Sequence, residues 1–85
     1  MPTTILYFAW VREKIGRSSE TVELPASVVT IADLVLWLRA RGPEYIEAFA
    51  KPEVVRAAIN RTHVKTSATI AGAKEIAFFP PVTGG

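Results

Sequence analysis

Glu75-Ile76-Ala77-Phe78-Phe79 runs directly into Pro80-Pro81. The first five residues suit a strand, and the prolines end it, because a proline has no N–H to donate to a sheet ladder. A period of two puts Ile76 and Phe78 on one face and Ala77 and Phe79 on the other. Apolar residues on both faces point to a strand inside a sheet rather than at its edge. Near the other end, Thr3 to Val11 has the same character, with Ile5, Leu6, Tyr7, Phe8, Ala9 and Trp10 in one run. It is expected to form a first strand over that whole span, lying beside the last one at the centre of the sheet.

The remaining elements follow from local signals. Gly16 to Ser19 is expected to turn the chain, and Glu20 to Leu24 alternates polar and apolar residues as a second strand before Pro25. Thr30 with Asp33 three residues later has the form of a capping box. Ile31, Leu34, Val35 and Leu38 then recur as one helical stripe, stopped by Gly42-Pro43. Glu44 to Lys51 suits one short helical turn, Val54 to Asn60 a third strand, and His63 to Lys65 a short strand after a tight turn at Asn60-Arg61-Thr62. Ala71-Gly72-Ala73 turns the chain into the last strand. The order β-β-α-β-(β)-β, with one main helix on one face of a mixed sheet, is an α+β domain.

One helix cannot cover two apolar faces. In the first strand Ile5, Tyr7, Ala9 and Val11 form one set and Leu6, Phe8 and Trp10 the other. One set must stay open or meet a partner, and an exposed patch of large apolar residues usually marks an interface. The competing arrangement has the Tyr45–Phe49 segment fold over that face.

Composition removes several classes of function. The 85 residues suit one domain. There is no cysteine, hence no disulfide, thiolate metal site or cysteine nucleophile. The single histidine, His63, has no ligand cluster around it. The net charge of +2 is spread along the chain, without the clustered basic patch a nucleic-acid binder needs. No apolar run reaches the ~20 residues of a membrane helix, and Met1-Pro2-Thr3-Thr4 lacks the basic start of a secretory signal. The expectation is a cytoplasmic protein that binds neither nucleic acid nor membrane.

What remains is the end of the sequence. The division expected is a folded body over residues 1–79 and an extended tail over residues 80–85. Pro80-Pro81 favours an extended segment, and Val82-Thr83-Gly84-Gly85 follows. The paired glycines could enter a channel too narrow for any side chain. The group such a tip offers to chemistry is the carboxylate of Gly85.

The run Glu75-Ile76-Ala77-Phe78-Phe79-Pro80-Pro81-Val82-Thr83-Gly84-Gly85 resembles the C-terminus of the small subunit of molybdopterin synthase, the MoaD family. Leu6-Tyr7-Phe8-Ala9-Trp10-Val11-Arg12-Glu13 with Gly16 resembles that family's first strand and the turn after it, and Ala58-Ile59-Asn60 its third strand. The resemblance implies a β-grasp, ubiquitin-like fold. It implies a sulfur carrier rather than an enzyme on its own, binding no cofactor itself. An E1-like adenylyltransferase would use ATP to activate Gly85, and sulfur would replace the adenylate to leave a thiocarboxylate. The tail, through Pro80, Pro81, Val82, Thr83 and Gly84, would enter the large subunit of a heterotetramer and donate sulfur to cyclic pyranopterin monophosphate.

Phe8 and Phe79 match exposed sheet aromatics that meet the large subunit, and Arg12 matches an arginine expected to engage the activating enzyme. His63 stands where the family often has an apolar residue. Ala71-Gly72-Ala73-Lys74-Glu75 departs from the family's usual Asp-Gly-Asp-Glu. Carriers for thiamine or tRNA thiolation share the Gly-Gly ending without the Phe-Phe-Pro-Pro run. A ubiquitin-like adaptor that transfers no sulfur is the reading from a different class.

Overall fold

The structure, a computed structural model, describes residues 2–81. Its strands are β1 (Pro2–Tyr7), β2 (Ser19–Glu23), β3 (Arg56–Ile59), β4 (Thr62–Val64) and β5 (Glu75–Phe79). Its helices are α1 (Ala9–Ile15), α2 (Ile31–Arg39) and α3 (Pro43–Ala48), with a 3-10 turn at Pro52–Val54. The sheet runs β2-β1-β5-β3-β4. β1 and β5 pair in parallel, with Ile5 opposite Ile76 and Tyr7 opposite Phe78, and the other pairs are antiparallel. The two most apolar strands thus lie side by side in the interior, as expected of runs apolar on both faces.

The first strand is shorter than its apolar run suggests. Tyr7 is its last residue, and Ala9 takes a positive φ of 52°. That left-handed conformation costs an alanine about 1 kcal/mol, and it turns the chain at once into α1. Val11 and Ile15, four residues apart, bury one face of this helix, and Gly16 at φ 88° closes it by donating its N–H to the Arg12 carbonyl at 2.8 Å. The stretch after Phe8 is therefore helical, and Trp10 packs beside the core instead of lining the open face.

The expected capping box is present. The Asp33 N–H donates to Thr30 Oγ1 at 3.1 Å, and Asp33 Oδ2 accepts from the Val29 and Thr30 N–H groups. These backbone donors, Val29 first, hold the Asp33 carboxyl below its usual range. Ile31, Leu34, Val35 and Leu38 are buried as one stripe. All three helices cover the same side of the sheet, over Ile5, Tyr7, Ile76 and Phe78. Phe49 lies under that layer, edge-on to Phe78 with ring centroids 5.1 Å apart. The Tyr45–Phe49 segment thus thickens the covered side and does not fold over the other.

At the margin of this core sits Glu20, its side chain only 5% exposed. Oε2 accepts from the Tyr7 hydroxyl at 2.7 Å and the Tyr45 hydroxyl at 2.6 Å, while Oε1 meets Arg41 at 2.7 Å and Arg17 at 3.3 Å. The Arg41 guanidinium also lies over the rings of Trp37 and Tyr45. Burial alone would raise the Glu20 carboxyl, but the bonds from Tyr45, Tyr7 and Arg41 outweigh it and hold it below its ordinary value. Burial and the bond to Glu20 push both tyrosine hydroxyls up.

Because the Glu20 carboxyl is lower folded than its ordinary 4.5, its share of stability is whole above about pH 4.5 and is lost as pH falls toward the folded value. Glu20→Gln is expected to lower the unfolding free energy by about 2 kcal/mol at neutral pH. Urea denaturation across the acid range should show a shallower decline for the variant than for the parent chain.

Candidate functional site

The side of the sheet away from the helices is built by alternation. The open-face partners of buried Ile5, Tyr7, Ile76 and Phe78 are Leu6 and Phe8 on one strand line and Glu75, Ala77 and Phe79 on the next. Registry brings Leu6 beside Ala77, Ala77 beside Ala58 and Ala58 beside His63. Two alanines at the middle of this row leave the floor low, and Leu6, Phe8, His63 and Phe79 stand around it. The result is a shallow concavity of about 560 Å³ lined by these residues with Arg61 and Glu75.

Three of the expected contact residues are thereby brought together. Phe8, between β1 and α1, is 46% exposed despite its size. Phe79 is half-buried as the last residue of β5, and the exposed His63 ring lies 5.0 Å from the Phe79 ring, tilted by 46°. Arg12 is exposed on α1, one turn from Phe8, but does not line the concavity. Pro80 and Pro81 follow Phe79 outside any strand and are half-buried. Val82, Thr83, Gly84 and Gly85 lie outside the described residues.

Arg61 and Glu75 were not legible as site residues. Arg61 looks like part of a turn, and Glu75 like the polar start of a strand. The signal lies in period-two counting, along β5 for Glu75 and back from His63 for Arg61, which places both at the end of the face remote from Phe79. A second groove, of about 430 Å³, lies between α2, the 3-10 turn and β3, with Phe78 and Val55 among its walls and Arg39, Glu53 and Thr66 among its polar residues. It is on the helix side of the sheet, away from Phe8 and Phe79. Among the described residues no group of three or more His, Asp or Glu side chains could hold a metal ion. None of their buried side-chain nitrogen or oxygen atoms lacks a hydrogen-bond partner. No helix among them is long and apolar enough to cross a membrane. What these residues make is a shallow, largely apolar concavity on the side of the sheet away from the helices.

The ThiS family profile matches residues 5–85, nearly the whole chain. The chain belongs to the ThiS family. Its relatives include the molybdopterin synthase sulfur carrier subunits of Escherichia coli and Haemophilus influenzae, each 35% identical over 81 residues that span 95% of this chain and 96% of the relative. The β-grasp fold is shared with SAMP1 from Haloferax volcanii, with a TM-score of 0.73 at 21% identity over the full length of both chains. It is also shared with a chain in the complex of subunits 1 and 2 of the Helicobacter pylori molybdopterin-converting factor, with a TM-score of 0.64 at 16% identity over both full lengths.

The two faces of the sheet give a paired test. Phe78→Ala should cost about 4 kcal/mol of stability, as removal of a core aromatic does. Phe8→Ala should change stability by no more than about 0.5 kcal/mol. Chemical denaturation of the two variants measures both, and similar losses would show that the open face is not open.

Proposed function

We propose that this chain carries sulfur for molybdopterin synthesis, as the small subunit of molybdopterin synthase, with Gly85 as the acyl group that bears it. The observation behind this reading is the position of Phe79. It ends an interior strand, walls the open concavity and passes the chain directly to Pro80-Pro81. A protein seated on Leu6, Phe8 and Phe79 therefore lies where the chain leaves the sheet. Six residues from Pro80 reach at most ~20 Å when extended, enough to enter a neighbouring active site. The kinship with molybdopterin synthase sulfur carrier subunits supports the same reading.

The chemistry then divides between partners. A carboxylate is a poor acyl donor, because it has no good leaving group, so an E1-like adenylyltransferase first activates it. The Gly85 carboxylate oxygen attacks the α-phosphorus of ATP and pyrophosphate leaves. Sulfide next adds at the acyl carbon and AMP leaves, so that a thiocarboxylate remains. Glycine presents no side chain against either attack. In the large subunit the thiocarboxylate gives its sulfur to cyclic pyranopterin monophosphate, and two such transfers form the dithiolene.

In this scheme Phe8, Phe79 and His63 hold the large subunit, and Arg12 engages the activating enzyme. Pro80, Pro81, Val82 and Thr83 carry Gly84 and Gly85 inward. The chain supplies an address and a reactive end, and the acid–base work falls to its partners.

Incubation with a competent activating enzyme, ATP and sulfide should raise the intact mass by the exchange of one oxygen for one sulfur, located in the last peptide. Deleting Gly85 should abolish that gain and leave the circular dichroism spectrum and melting temperature unchanged, because the core among the described residues is built from Ile5 to Phe78. An unchanged mass in the parent chain would turn the reading toward an adaptor that uses the open face alone.

A further inference from the structure

The β3–β4 hairpin turns on two residues, Asn60 and Arg61, both at positive φ, 47° and 72°. Two left-handed residues in a row are the geometry of a two-residue hairpin turn whose twist matches the sheet, and the second position favours glycine. Asn60 has a local reason to be there. Asparagine tolerates the conformation, and its Oδ1 accepts from the Lys74 and Glu75 N–H groups, both at 3.1 Å. Arg61 has no such return. A β-carbon in this conformation costs about 1 kcal/mol, and among the described residues the guanidinium has neither a hydrogen bond nor an ion pair to offset it. Glu75 lines the same concavity, yet no ion pair joins the two.

Position narrows what Arg61 could meet. It stands exposed at the Glu75 end of the concavity. The chain leaves the sheet at the Phe79 end, four residues further along β5, or about 13 Å at ~3.3 Å per residue. A group bound by Arg61 thus lies at the opposite end of β5 from Phe79, where the chain leaves the sheet. What reaches Arg61 is the far edge of whatever covers Leu6, Ala58, Ala77 and Phe79. A rigid guanidinium at the polar rim of an apolar patch suits a carboxylate, which it can hold through two parallel bonds.

We propose that Arg61 is the charge anchor of the open face, pairing with a carboxylate on the large subunit at the end of the interface away from Phe79. This rests on the large subunit being the occupant. The anchor sets orientation as well as rate, because one charge pair at the end of the face away from Phe79 fixes which way the partner lies along the sheet.

The test uses the full chain and the molybdopterin synthase large subunit from the same genome. Arg61→Gly fits the positive φ, so its melting temperature should hold or rise. Its affinity for the large subunit should fall about fivefold at low salt, chiefly through slower association, and the gap should close at high salt. Arg61→Glu should weaken binding further still, again at low salt. Tight binding by the parent chain with equal affinities and salt responses in Arg61→Gly would overturn the anchor and leave the docking face standing. Failure of the parent chain to bind at all would overturn both.

Discussion

The parallel pairing of β1 with β5 is the constraint on which the rest of the structure depends. It joins segments more than sixty residues apart and places Ile5 against Ile76 and Tyr7 against Phe78. Two strands apolar on both faces are thereby set in the interior of one sheet. The helices cover one side, and with all three helices committed there, alternation leaves Leu6, Phe8, Ala77 and Phe79 on the other. The open face is a consequence of this pairing and of the single-sided helical layer, and burial of one side enforces its register.

The same pairing explains the economy of the site. The strand that anchors the core on one face walls the concavity on the other, and its last residue opens the tail. A concave surface carried by a rigid sheet is held more firmly than one built from loops. The Glu20 cluster adds to that rigidity from the covered side, since one carboxylate ties β2 to the end of β1, to α3 and to Arg41 beyond α2. A buried carboxylate with every bond satisfied in this way favours a single arrangement of the elements around it.

Some features were legible because they rest on local rules. The limits of β5 follow from alternation stopped by proline. The start of α2 follows from Thr30 and Asp33, whose side chains satisfy backbone donors within four residues of each other. The two apolar sets of the sheet follow from period two alone. The boundary of β1 was not legible, because Ala9-Trp10-Val11 is as apolar as the strand before it and an alanine at positive φ carries no sequence signal. The spacing of Val11 and Ile15 before Gly16 was the trace that α1 left in the sequence.

The sequence by itself determined the composition limits, the central strands, the capped helix and the Pro-Pro-Val-Thr-Gly-Gly ending, since each depends on neighbours along the chain. Only the tertiary structure decided which apolar set is buried, that Glu20 is met by two tyrosines and two arginines, and that His63 lies against Phe79. It alone placed Arg61 at the rim of that same face. These depend on which elements pack together and in what register, and residues far apart in sequence carry no local mark of the partner they will meet.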